Sequence, residues 1–457
     1  MEKLIDMQGD GFGIGSMSDL AELRKALDIG YSQPVTGVGF DALRVESLEA
    51  TLKLLTYSQQ NIKFWNLIPK LDAYSTVEEY NRLLQYGAEG GGFTSSGELP
   101  QEEDTTYERA DQKVKFLGTT RSVTHPASLV RTVPADLISQ ETQNGALWLM
   151  GKINSALYYG DSDAVPVEWN SVTKQIEETG GNVIDLQGQP LSKETVEAAA
   201  YLIAENFGIP QVLLSNNKVF ADFSNTYNQY QRFSAPGGAA GVIGTPVTGV
   251  STVSGTVRFE SDVFVKASSR PPVSPTSLKA PAAPSLAVAN PTGSDAPNFL
   301  SSDGGSYLYA VTAVNQYGES APSATSAATV IAATNHVALT ITDNAGPAPA
   351  TGYNIYRTEK NGSILYKLGR TIPRTKVNGI YSSPSVWVDY NNYRPNTFLG
   401  LLLDLTSQSL AFKQLSPMIK MNLAIVSPAI RWMQLLYGTP IVYAPKKNVV
   451  FRNIGHG

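Results

Sequence analysis

The stretch PADLISQETQNGALWLMGKINSALYYG, Pro134 to Gly160, carries the strongest helical signal in the chain. Proline suits the first turn of a helix, where its missing N–H is not needed. Ile138, Leu149, Ile153 and Leu157 fall on one stripe, with Ala146 and Met150 beside it. Gly160 and Asp161 end the pattern. At a rise of ~1.5 Å per residue, about 25 residues span nearly 40 Å. Such a helix is predicted to be the spine of a flat, elongated subunit.

On its N-terminal side, residues 72–125 read as a long two-stranded excursion. A strand from Thr76 to Tyr86 leads into Gly90, Gly91, Gly92 and Phe93, then the polar tip Thr94 to Gly97. Glu98, Glu102, Glu103, Asp104, Glu108 and Asp111 follow, with the return strand expected near Lys113 to Val123. Glycines permit backbone angles that other residues resist, and the tip has little of its own to pack on. An isolated ribbon is marginal in water, so a long acidic hairpin is expected to lie across a neighbouring subunit. The candidate contact residues are Gly90, Gly91, Gly92, Phe93, Glu98, Glu102, Glu103 and Asp104. The other reading is a mobile surface loop. Residues 1–71, with helical islets at Ser18 to Leu27 and Leu43 to Leu55 between patternless stretches, read as an arm that needs a partner to order it, or as a frayed terminus.

On the C-terminal side, residues 166–230 alternate helix and strand. Lys193 to Asn206 is predicted as an amphipathic helix, with Ser192 as N-cap and Gly208 just past its end. Gln211 to Ser215 is a short buried strand, and Asn217 to Tyr230 a second helix. Residues 234–256 hold six glycines and read as a flexible loop; Thr256 to Val265 resumes as strand. A Pro-rich, semi-rigid linker is expected at 267–284. Seven short strands then follow, near 285–289, 306–315, 327–332, 336–342, 353–358, 363–371 and 385–390, with Asn361-Gly362 as a hairpin signal. That is the rhythm of an immunoglobulin or fibronectin type III sandwich. The residues from 397 onward are too apolar to stand alone, so they are expected to complete the core begun before residue 266. The sandwich, 278–396, is then an insertion within a domain.

Charged residues make up only 16% of the chain, below the usual quarter. Burial against copies of itself would explain this, and so would a β-rich, Ser/Thr/Ala-rich composition. A net charge of −5 argues against a protein that coats nucleic acid. With no cysteine, disulfides and thiolate metal sites are excluded. The N-terminus does not read as a secretory signal, and no apolar run approaches the ~20 residues of a membrane span. Chemistry is equally sparse. His125, His336 and His456 are the three histidines, none with metal-ligand spacing or a nucleophile-elbow setting. Gly11-Phe12-Gly13-Ile14-Gly15 matches a phosphate loop by glycine count alone. The acidic cluster at 98–111 lacks the pattern of a calcium loop. No catalytic residue, metal or cofactor is expected, and the missing chemistry points to a protein that binds.

The order of segments (arm, long hairpin, spine helix, α/β lobe, inserted sandwich, returning strands) resembles the Hong Kong 97-like fold of tailed-phage major capsid proteins. Particular stretches resemble the type with an immunoglobulin-like insertion found in large contractile-tailed phages. They include Ala42 to Glu46, Ala156 to Asp161, Asn206 to Gly208, Ser320 to Ser323, Tyr353 to Arg357, and Leu436-Tyr437-Gly438 through Lys447. The resemblance spans nearly the whole chain, and each stretch is weak alone.

The resemblance implies an α+β fold: an N-terminal arm (1–71), an E-loop (72–125), a P-domain with the spine helix (126–165) and an A-domain (166–277). The immunoglobulin-like insertion (278–396) and returning strands that complete the P- and A-domains (397–457) follow. It implies a structural protein, not an enzyme, that assembles into hexamers and pentamers of an icosahedral head enclosing double-stranded DNA. Scaffolding, portal and decoration proteins would be its partners, with assembly in the host bacterial cytoplasm and a final place in the virion. Some members weld the shell through a lysine on the hairpin. Here Ala88 to Asp111 contains no lysine, and Lys113 and Lys115 lie lower, so no crosslink is expected. Two other readings remain at this point: a tail component or adhesin, and a carbohydrate-active enzyme using Glu102, Glu103 or Asp104.

Overall fold

The computed structural model describes residues 56–87, 92–99, 101–129, 137–227, 247–266, 269–293, 299–424 and 427–456. Residues 1–55 of the expected arm, the Gly90-Gly91 pair, Pro134 and most of the glycine-rich loop lie outside them. The labelled elements, in chain order, begin with β1 (Lys70–Asp72), β2 (Val77–Gln85), β3 (Thr106–Lys113), β4 (Lys115–Thr124) and α1 (Leu137–Tyr159). Next come α2 (Val172–Glu178), β5 (Asn182–Asp185), α3 (Lys193–Glu205), β6 (Val212–Ser215), α4 (Asn217–Tyr227), β7 (Gly249–Thr252) and β8 (Gly255–Ser261). The sandwich segment holds β9 (Ser285–Val288), β10 (Tyr309–Asn315), β11 (Asn335–Thr342), β12 (Gly352–Thr358), β13 (Leu365–Lys367) and β14 (Ser385–Asp389). The chain closes with β15 (Phe398–Leu403), β16 (Leu410–Asn422), β17 (Ala429–Val442) and β18 (Val449–Ile454).

Two sheets build the body. One runs β1-β16-β17-β4, the other β5-β18-β15-β6-β8-β7. In the second, β6 and β15 are central and buried along almost their whole length, which is why Val212-Leu213-Leu214 and Leu401-Leu402-Leu403 are unbroken apolar runs and not alternating ones. α3 lays Val196, Ala199, Ala200 and Ile203 into the core at helical spacing. The Ser192 hydroxyl accepts the Thr195 N–H at 3.3 Å and caps the helix. Residues from Ile62 to Val265 and from Phe398 to Ile454 share this one core. The chain leaves it after 265 and re-enters at 398.

Between those points a second core forms. Tyr309, Val311 and Ala313 of β10, Val337, Leu339 and Ile341 of β11, and Tyr353 and Ile355 of β12 are buried together. They come from two sheets, one centred on β11 with β9 and β14, the other on β10 and β12 with β13. At its centre the Arg357 guanidinium, 1% exposed, bonds Asp389 at 2.6 Å and Asn391 at 2.6 Å. The Tyr309 hydroxyl donates to the same Asp389 at 2.9 Å. Phe299 and Tyr307 place their rings 5.2 Å from the guanidinium carbon. A buried charge is tolerable only when paired and hydrogen-bonded, and this one is.

Four local expectations need correction. The return strand of the hairpin is β3, Thr106–Lys113, which puts Glu108 and Asp111 in the strand and not at the tip. At Val114, 4% exposed, the chain turns into the body, and β4 pairs with β17 instead. The residue in the left-handed region after α3 is Phe207 (φ 60°), not Gly208. Gly208 serves close approach, since a Cβ there would lie 2.7 Å from Ile203 and 3.0 Å from Lys447. Within the expected loop at 234–256, residues 249–252 form β7, paired with β8. Finally, the Pro-rich stretch is no free linker over its described part. Ser269 accepts the Lys367 N–H at 2.8 Å, Thr276 donates to Glu319 O at 2.9 Å, and Ala280 is 2% exposed. Proline removes donors but not carbonyls or apolar surface, so such a segment can still be strapped down.

Candidate assembly surface

The hairpin β2–β3 is built from two unlike halves. Along its lower half, alternate residues face the body. Glu78 accepts the Tyr74 and Ser75 N–H groups at 2.7 and 2.9 Å and pairs with Lys413 at 3.3 Å. Tyr80 sets its ring edge-on to Tyr443, 5.1 Å between centroids. Arg82 donates to the Val442 carbonyl at 3.0 Å and to the Tyr80 hydroxyl at 3.1 Å. Burial works to raise the Glu78 carboxyl, but the two backbone donors and Lys413 outweigh it and hold the group below its ordinary range. Burial pushes the Tyr443 phenol up to about 12.

Above Arg82 the register slips between Leu83 and Gln85. A bulge of this kind bends a strand and ends its alternation. Beyond it Leu83, Leu84, Tyr86, Phe93, Leu99 and Tyr107 are all exposed, Leu84 at 60% and Tyr86 at 85%. Exposed apolar clusters of this size mark contact surfaces on soluble proteins. Glu98, Glu102, Glu103 and Asp104 lie on the same half and are solvent-accessible, as are Gly92 and Phe93. Gly92 (φ 83°) and Gly97 (φ 93°) take backbone angles open to glycine. Two ion pairs cross the hairpin, Arg82–Glu108 at 3.4 Å and Arg109–Glu79, so the strands' acidity is partly neutralised within the ribbon. Gly90 and Gly91 lie outside the described residues; the structure thus brings the described candidates, Gly92, Phe93, Glu98, Glu102, Glu103 and Asp104, onto one half of the hairpin and adds apolar partners that charge counting passed over. The signal for them was present in Leu83-Leu84, where the β alternation breaks.

The spine helix α1 is 23 residues long, roughly 35 Å. Leu149, Ile153 and Leu157 are fully buried, while Ile138 is half-buried. The helix lies on the sheet of β4 and β17 through glycine: a Cβ on Gly145 would stand 2.2 Å from Gln434 Oε1. Gln434 in turn donates to the Thr142 carbonyl at 2.7 Å. One feature escaped sequence reasoning. Asp262, wholly buried, accepts from Asn154 Nδ2 at 2.8 Å, the Tyr158 hydroxyl at 3.0 Å and the Phe64 and Phe264 N–H groups at 3.3 and 2.9 Å. It ties the spine to β8 and to the turn at Phe64. Asn154, polar beside the apolar stripe, was its one visible sign.

The histidines sit in three unrelated settings. His125 opens a helical turn after β4, His336 is tilted against Tyr390, and His456 lies near Phe398 and Lys218. Among the described residues no group of three or more His, Cys, Asp or Glu side chains is placed to hold a metal ion. No helix among them is long and apolar enough to cross a membrane.

No protein-family model matches the chain. Sequence similarity to individual proteins is extensive. The putative major capsid protein of Enterococcus phage phiEF24C is 25% identical over 453 residues, covering 95% of this chain and 94% of the relative. The major capsid protein of Staphylococcus phage K is 25% identical over 452 residues, covering 94% of each. This chain is related to phage major capsid proteins. Those relatives are structural capsid proteins, not enzymes. Similar solved structures include the capsid of Cyanophage P-SCSP1u (TM-score 0.46, 9% identity, 91% of this chain and 95% of that one). The SrpI encapsulin of Synechococcus elongatus is another (TM-score 0.43, 8% identity, 91% and 94%).

Proposed function

We propose that this chain is the major capsid protein of a tailed phage, self-assembling into hexamers and pentamers of an icosahedral shell around double-stranded DNA. The observation that carries this reading is the far half of the β2–β3 hairpin, which exposes Leu84, Tyr86 and Leu99 above a firmly docked base. A second copy of the chain is the natural cover for such a surface. End-to-end similarity to phage capsid proteins supports the same reading.

In this reading the segments take the roles of the Hong Kong 97-like fold. Residues 1–71 are the arm, 72–125 the E-loop, 126–165 and part of 397–457 the P-domain, and 166–277 the A-domain. Residues 278–396 are an immunoglobulin-like insertion. The E-loop contacts are Gly90, Gly91, Gly92, Phe93, Glu98, Glu102, Glu103 and Asp104, joined by Leu84, Tyr86 and Leu99. Scaffolding, portal and decoration proteins are the expected partners, with assembly in the host cytoplasm. Lys113 sits at the hairpin base opposite Val77, and Lys115 donates to the Pro166 carbonyl at 2.5 Å. Neither reaches the projecting half, which favours a shell held without covalent welds. Many modest contacts per chain suffice for that, because each is made intramolecularly once the others hold.

Negative-stain microscopy of the full chain, expressed with its scaffolding partner, tests the proposal. Closed shells or hexamers are expected; a persistent monomer would overturn it. Deleting 278–396 with a short splice then asks what the sandwich does. Intact shells would assign it an outward, surface-binding role, and loss of shells a bridging one.

A further inference from the structure

Where the sandwich meets the body lies a cavity of about 290 Å³. That is close to the lower end of the size range of small-molecule sites, roughly 300 Å³. Five cationic side chains line it, Lys266, Lys367, Arg370, Arg394 and Arg452, against a single carboxylate, Glu177. Glu177 is shared: Arg452 Nε reaches one oxygen at 2.7 Å and Arg370 Nε the other at 3.7 Å. Glu178 also approaches Arg370, at 3.2 Å. Arg394 is matched by Asp303 outside the wall, in a two-pronged pair of 3.0 and 2.7 Å. Among the described residues Lys266 and Lys367 have no carboxylate within 4 Å, while Arg370, Arg394 and Arg452 are each ion-paired. The ammonium of Lys367 donates to the neutral Thr371 hydroxyl at 3.3 Å. Burial holds this lysine below its ordinary value, with only partial offset from Glu319 and Glu168.

We propose that this cavity binds a small phosphate-bearing anion, and that the anion clamps the sandwich to the body. Lys367, Arg370 and Arg394 come from the sandwich segment, and Lys266 and Arg452 from the body. An anion between them bonds both at once. Planar guanidinium groups suit phosphate oxygens through paired N–H donors. Free phosphate and a nucleotide share this chemistry.

The test is calorimetric titration of the full chain with sodium pyrophosphate, and separately with a deoxynucleoside monophosphate, at constant ionic strength. Saturable uptake of one anion per chain is expected. Preference for the nucleotide would identify a base-bearing ligand, and preference for pyrophosphate a simple one. Arg370→Gln and Arg452→Gln should each weaken binding at least tenfold. Lys266→Glu does the same without touching the fold, because this residue is exposed. Glu177→Gln should tighten binding, an effect that a purely structural role would not produce. Lys279→Gln, over the Tyr317 ring, should change nothing. No saturable uptake by the wild type, or undiminished uptake by Lys266→Glu, would overturn the proposal.

Discussion

The sandwich and the β2–β3 hairpin both stand out from the body, and they solve the same problem in opposite ways. The sandwich folds two sheets onto each other and buries Val311, Leu339, Ile341 and Tyr353 completely or nearly so. Its central charge is paired with Asp389 and enclosed. The hairpin has one ribbon and nothing to fold onto. Among the described residues Glu78, Tyr80 and Arg82 hold its lower half to the body, while Leu83, Leu84, Tyr86, Phe93, Leu99 and Tyr107 are exposed. A two-layer unit can complete its own core; a single ribbon must borrow one. The sandwich segment thus carries a hydrophobic core of its own, and the described far half of the hairpin leaves its apolar side chains exposed.

Substitution should separate the two behaviours. The largest effect is expected at Leu84. Leu84→Asp places a charge on the projecting half, and shells seen by electron microscopy should disappear. The unfolding midpoint of the unassembled chain should hardly move, since surface changes away from special features fall within about 0.5 kcal/mol. A large loss of folding stability would place Leu84 in a core and break the contrast. Next is Arg357→Met, which strands Asp389 in the sandwich interior. Removing one partner of a buried pair costs about 3–5 kcal/mol. Hydrogen exchange should quicken across β10, β12 and β14 while β6 and β15 of the body keep their protection. Equal loosening of both cores would show that the sandwich is not an independent unit.

The smallest effect is expected at Glu78, where the hairpin is fastened. Its carboxyl is held below the ordinary range in the folded chain. Its contribution is therefore fully present above the unfolded value and is lost as pH falls through the folded one. Glu78→Gln should speed exchange of the Tyr74 and Ser75 amides at neutral pH. Wild type and variant should converge in acid. A difference that persists at low pH would assign the anchoring to Tyr80 and Arg82 instead.

Much of this was legible in the residues. The stripe of Leu149, Ile153 and Leu157 placed the buried face of the spine, because helical periodicity and burial are the same fact seen twice. Ser192 marked the start of α3 through its hydroxyl. The alternation of 336–342 and 353–358 marked β11 and β12. Other features depended on partners remote in sequence. The return strand was placed too late because Lys115–Thr124 has strand character of its own; only the competition between β2 and β17 for a neighbour assigns it. The cation-lined cavity joins residues from Lys266 to Arg452, and no local pattern connects them.

By itself the sequence determined the spine helix, α3 and the central strands β6, β11 and β12, that the segments before 266 and after 397 need each other, and that cysteine chemistry is absent. Those properties follow from periodicity, from apolar runs too long to be exposed, and from residue type, all of which are local. Tertiary structure alone decided which half of the hairpin is fastened and which is bare, that Asp262 ties the spine to β8, and that five cations converge on one cavity. Each depends on side chains far apart in the chain meeting at a few ångströms, and only the packed fold specifies that.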